Sequence, residues 1–105
     1  MKVKTEGHTY ELSNFENKET SQALQFIHKE PSLNPIVDGV LKTISDGTTN
    51  EEVLEVLIDR MVFYNLNSRA EKNAIVITKL EESLMWLNKR TADRMKRDVE
   101  GKHLK

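Results

Sequence analysis

Residues 68–98 read SRAEKNAIVITKLEESLMWLNKRTADRMKRD, and this stretch decides the fold. Neither proline nor glycine interrupts it, and the next glycine is Gly101. Ser68 and Glu71 form an S-x-x-E pattern. In such a box the hydroxyl accepts from the backbone N–H three residues on, and the glutamate reaches back to the first N–H. The spacing predicts one long helix over 68–98, opening at Ser68. Ala70, Ile77, Leu80, Leu84 and Leu87 recur at steps of three and four, with Asn73 filling the one seven-residue step. The same register leads on to Thr91 and Arg94. One seam is therefore apolar in its middle and polar at both ends. An apolar seam packs against another helix. Polar residues where it opens splay to solvent or touch something polar. Ile75, Val76, Met85 and Trp86 add apolar surface off the seam, more than one stripe supplies. This predicts cover beyond a hairpin partner, from a sheet or from another subunit.

Upstream, Thr49 and Glu52 form a second capping box. Val53, Leu54, Leu57, Ile58, Met61, Val62 and Leu66 follow at helical spacing, so a helix is predicted from Thr49 to about Leu66. The short link Asn65-Leu66-Asn67 makes the next helix return antiparallel beside it. The first 47 residues read differently. Residues 2–13 suggest a short hairpin with Gly7 in its turn. Residues 14–22 are polar and without period, a loop. Residues 23–29, ALQFIHK, alternate as a strand. Pro31 and Pro35 bracket a turn. Residues 36–44 read as a strand or a second hairpin around Asp38-Gly39, and Asp46-Gly47 closes the β-rich region. The expected class is α+β: a small N-terminal antiparallel sheet, about 1–47, then a C-terminal antiparallel helical hairpin, about 49–98. The tail VEGKHLK is expected to fray.

A chain of 105 residues with six aromatics makes one domain, 1–105, with a small core, and oligomerisation would supplement that core. The formal net charge of −1 gives no global field toward DNA or an anionic membrane. No apolar run is long enough to span a bilayer, and MKVKTEGHTY has no apolar h-region of a signal peptide. Without cysteine there is no disulfide, thiol nucleophile or cysteine-based zinc site.

His8, His28 and His103 fall on a turn, a strand and the tail, none at metal-ligand spacing with another. Glu51-Glu52 and Glu81-Glu82 have no nucleophile or histidine beside them in sequence, so they read as solvated. The four glycines are isolated, which excludes a Gly-rich phosphate cradle. The sequence makes no case for catalysis. Lys89, Arg90, Arg94, Lys96 and Arg97 crowd the end of the long helix, with Arg90, Arg94 and Arg97 on one face. Two readings are open. Cations favour a helix C-terminus through the dipole. Arginine forks also grip phosphates bidentately. Of Phe63 and Tyr64, one is expected in the core and the other exposed as a platform for a base.

DGTTNEEVLEVLIDRM followed by NAIVITKLEESLMWLNKRT resembles the phage Thoeris anti-defence proteins of the first type. The second run also resembles the hairpin of phage anti-CBASS sponges. KVKTEGHTYELSNFEN and QFIHK are similar to the Thoeris anti-defence sheet, so the resemblance covers essentially the whole chain. It implies a sponge, not an enzyme, working in the cytoplasm of the infected bacterial host without a cofactor. Its partner would be a nucleotide messenger, glycocyclic ADP-ribose, made by host TIR-domain immunity and held without being cleaved. The resemblance also implies a homodimer that assembles into a hexamer, with a second site for cyclic di- or trinucleotides, and neither membrane nor nucleic-acid binding. Carried over by position, the messenger site would comprise Phe63 stacking on adenine, Asn73 against the ligand's polar edge, and Arg90 and Arg94 on adenine or phosphates. Asn73 and Arg94 are 21 positions apart, roughly 31 Å along a helix. One small nucleotide can touch both only if they come from different subunits, as in an antiparallel dimer with two composite pockets. The competing readings are a small phage nucleic-acid- or protein-binding regulator, and a messenger-degrading enzyme.

Overall fold

The computed structural model describes residues 1–31 and 41–103, with side chains through residue 97. The expected turn between Pro31 and Pro35 and most of the strand expected over 36–44 lie outside the described residues. The chain forms two compact units, Met1–Thr49 and Asn50–Lys105.

The first unit is built of antiparallel strands. β1 (Lys2–Thr5) and β2 (Thr9–Ser13) make the expected hairpin, with Val3 opposite Tyr10. Gly7 takes a φ of +76°, which a residue without Cβ adopts freely, and the His8 N–H closes the turn on the Thr5 carbonyl at 3.0 Å. Lys4 Nζ lies 3.4 Å from Glu11 Oε2 across the hairpin. A hydrogen bond from Ser21 and the Lys4 ammonium together hold the Glu11 carboxyl below the usual carboxylate range.

β3 (Ser21–Gln25) adds to β2, placing Tyr10 opposite Leu24. It begins inside the stretch expected to be loop. The strand expected over 23–29 does not run through. It ends at Gln25, and a new strand, β4 (His28–Pro31), starts a second sheet with β5 (Leu41–Ser45). The break has a backbone cause. Thr48 N–H donates to the Gln25 carbonyl and the Thr48 carbonyl accepts from Ile27 N–H, both at 2.9 Å. Thr48 thus occupies the backbone groups on either side of Phe26, and the Phe26 N–H turns to the His8 carbonyl at 2.8 Å.

Gly47 makes that approach possible. A Cβ there would stand 2.5 Å from the Gln25 carbonyl oxygen and 2.7 Å from the Phe26 carbonyl carbon. The Gln25 amide also donates to the Asp46 carbonyl at 2.8 Å. Tyr10 and Phe26 meet edge to face at 5.9 Å. His8 and His28, far apart in sequence, stack with centroids 3.7 Å apart and planes 9° from parallel.

The second unit is the helical hairpin. α1 (Asn50–Asn67) opens with Glu51 and Glu52 in its first turn, where the helix dipole favours acids. α2 (Glu71–His103) continues past the expected end at Asp98, through residues read as a frayed tail. It also starts later than Ser68. The Ser68 N–H still belongs to α1, bonded to the Tyr64 carbonyl at 3.0 Å. The first α2 bonds, from Asn73 N–H at 3.0 Å and Ala74 N–H at 3.3 Å, are accepted by the Ala70 carbonyl. Among the described residues no hydrogen bond joins the Ser68 hydroxyl to Glu71, so Ala70 holds the cap position. The Asn65 side chain closes the link by accepting from Ala70 N–H at 3.4 Å.

The half-buried positions of α2 are Asn73, Ile77, Leu80, Leu84, Leu87 and Thr91, the middle of the seam expected from the sequence, while Ala70 and Arg94 at its two ends are exposed. On α1 Leu54, Ile58, Met61 and Asn65 repeat at the same steps of three and four. This is the pattern of two antiparallel helices packed at a shallow angle. Among the described residues none is fully buried.

Candidate nucleotide-binding site

The two helices of the hairpin differ in length, 18 residues against 33. At 1.5 Å per residue, α2 reaches about 22 Å beyond the length that α1 can cover. Because the short link holds their near ends together, the excess falls on residues after about Asn88. The basic cluster lies there. Lys89, Arg90, Asp93, Lys96 and Arg97, with Trp86, line a shallow depression of about 560 Å³ on α2. Lys89 and Asp93 pair at 3.8 Å, both largely exposed. Such a pair is weak and readily exchanged for a phosphate.

The four candidate residues divide between the ends of the hairpin. Phe63 sits one turn from the end of α1 and is 60 % exposed. Tyr64 is exposed too, so neither ring enters a core, contrary to the sequence expectation. The reason is register. The seam takes Met61 and Asn65 on this turn, and the two rings fall to its sides. Tyr64 is held instead by Arg60, whose guanidinium lies 4.8 Å from the ring centre and donates to the phenol at 3.3 Å. Phe63 meets Tyr64 edge to face at 5.6 Å. Asn73 lies in the first turn of α2, half-buried, its amide donating to the Ser68 carbonyl at 3.4 Å.

Arg90 and Arg94 occupy the far end, beyond α1. Arg90 lines the depression, and Arg94, one turn on, lies exposed outside it. Phe63 and Asn73 therefore share the link end of the hairpin, Arg90 and Arg94 share the overhang, and a single chain does not unite the two pairs.

One end offers an exposed aromatic face and an amide. The other offers guanidinium forks. Together these are donor types suited to a base and to phosphates. Trp86, which is not among the four expected contacts, stands among the cations. Its signal was available: it lies four residues before Arg90, and residues so spaced are neighbours on a helix.

A second groove, about 700 Å³, follows the helix pair and is lined by Ile58, Val62, Leu84 and Met85 with Glu55 and Asp59 at its edge. Its acidic rim does not suit an anion. Among the described residues no helix is long and apolar enough to cross a membrane.

Residues 32–92 match the family model of the Acb2/Tad1 hairpin domain. The chain is also similar to a protein of Bacillus phage SBSphiJ7 named Thoeris anti-defense 1, with 42 % identity over 81 residues. That alignment spans 76 % of this chain and 57 % of the phage protein, so the chain covers little more than half of its relative. The family match takes in more than half of the chain, including all of α1 and α2 as far as Ala92, and the chain belongs to the Acb2/Tad1 hairpin family.

Proposed function

We propose that this chain is a phage anti-defence sponge. It binds glycocyclic ADP-ribose, the messenger of host TIR-domain immunity, and holds it intact in the cytoplasm of the infected cell. One observation supports this reading beyond family membership. The aromatic–amide pair and the arginine pair stand at opposite ends of one hairpin, so two antiparallel copies bring unlike ends together twice. Each composite pocket takes Phe63 and Asn73 from one copy and Arg90 and Arg94 from the other. Phe63 stacks on the adenine, Asn73 bonds the polar edge, and the arginines take the phosphates. In such a pocket the ligand's charge is the counter-ion that offsets the cost of taking the arginines out of water. Further assembly to a hexamer, with a second site for cyclic di- or trinucleotides, belongs to the same proposal.

Sequestration demands tight binding with slow release, and nothing in the proposed pocket has to break a bond. Calorimetric titration with glycocyclic ADP-ribose tests the reading, followed by heating and chromatography of the released ligand. We expect one ligand per subunit, recovered unchanged. Phe63→Ala and Arg94→Ala each weaken binding about 10- to 100-fold, from lost stacking or a lost charge-assisted bond. An altered product identifies an enzyme instead. Full affinity in both variants overturns the site. No messenger binding, with strongly salt-dependent DNA binding, favours a nucleic-acid regulator.

A further inference from the structure

We propose that Trp86 is a stacking residue of the messenger site and makes that site select ligands that carry a nucleobase. The inference rests on the sponge reading above and adds a fifth contact to it.

Trp86 is 57 % exposed. The seam uses Leu84 and Leu87 on this turn and leaves Trp86 on another face, so pairing with α1 does not cover it. An indole left in water is a large apolar surface with no return from folding. Trp86 is also placed among charges. It shares one depression with Lys89, Arg90, Lys96 and Arg97 and, among the described residues, with one carboxylate, Asp93.

Among the described residues the lining carries four cations to one acid, a balance that suits an anion. The indole face calls for a flat ring. The depression's volume of about 560 Å³ lies in the range of small-ligand sites. An anion joined to a flat ring, at that size, is a nucleotide. A bare polyphosphate would engage the cations alone and gain nothing from the indole. Arg90 links the depression to the proposed pocket, since it belongs to both.

The chain has one tryptophan, so its fluorescence reports on this position alone. The full-length protein is titrated with glycocyclic ADP-ribose and, separately, with inorganic pyrophosphate. Calorimetry runs in parallel on the wild type, Trp86→Phe and Trp86→Ala, with circular dichroism melting as the check on folding. We expect the messenger to quench the fluorescence and pyrophosphate to leave it nearly unchanged. Trp86→Ala weakens messenger binding about tenfold or more. Trp86→Phe keeps most of the affinity, and pyrophosphate affinity stays the same in all three proteins. Wild-type messenger affinity in Trp86→Ala overturns the proposal while the sponge reading stands. Equal losses for messenger and pyrophosphate overturn it as well, because they mark a structural role. If the wild type binds no messenger by calorimetry, the sponge reading fails first and this inference falls with it.

Discussion

Asn73 and Arg94 stand on one uninterrupted helix, 21 positions and about 31 Å apart. Helix rise fixes that separation, and no side-chain rotation closes it. For the proposed pocket the consequence is strict: its two halves come from two chains. Mixing mutants tests this directly. A chain carrying Phe63→Ala has no competent aromatic end, and a chain carrying Arg94→Ala has no competent basic end. In a mixed dimer one pocket collects both defects, and the other joins the intact Phe63 of one chain to the intact Arg94 of its partner. Co-refolding the two weakened variants should therefore restore wild-type affinity at about one ligand per mixed dimer. Titration of the separated mixed species measures it. If binding does not return, the composite pocket is wrong and the four residues do not share one ligand.

The hairpin was legible because its signals are local. Steps of three and four from Asn73 to Thr91 named the half-buried face of α2 one residue at a time. The start of α2 was missed by three residues because the pattern at Ser68 and Glu71 is satisfied differently. The Ser68 backbone is still bonded to α1, a fact of the link and not of the motif. The split of one expected strand into β3 and β4 was not legible. It depends on Thr48 reaching Gln25 and Ile27, more than twenty residues away, and no periodicity reports such a contact. The stacking of His8 on His28 was hidden for the same reason. At the site, residue types and spacing on α2 revealed the basic end. The separation of that end from Phe63 needed the lengths of both helices.

Gly47 carries a prediction about the first unit. The Gln25 carbonyl and the Phe26 backbone occupy the place where its Cβ would go, and backbone does not swing aside as a flexible side chain does. Gly47→Ala should force Thr48 away from Gln25 and Ile27 and cost about 1–3 kcal/mol, the usual range for overpacking. The Ile27 and Thr48 amides should then lose protection in hydrogen exchange, while the α1 and α2 amides keep theirs. Unchanged protection at Ile27 and Thr48 would show that the close approach is not what holds this segment.

The last prediction concerns the apolar surface that the hairpin leaves open. Val56 and Leu57 on α1, and Ile75, Val76 and Met85 on α2, are all exposed, while no described residue is buried. A lone hairpin of this kind gains little from burial, and its stability should come largely from a second copy. Mass action then makes the melting temperature depend on concentration. A hundredfold increase in protein is worth about 2.7 kcal/mol to an obligate dimer. For chains of this size that shifts the midpoint by roughly 5–10 °C. Val76→Glu sets a charge beside the seam where α1 has no need of it. It should lower the midpoint at high concentration, remove most of the concentration dependence, and weaken messenger binding without touching any of the four proposed contacts. Calorimetric scans at two concentrations decide the matter. A wild-type midpoint that stays fixed across the hundredfold range would mean that the hairpin is stable alone, and the two-chain pocket would lose its structural basis.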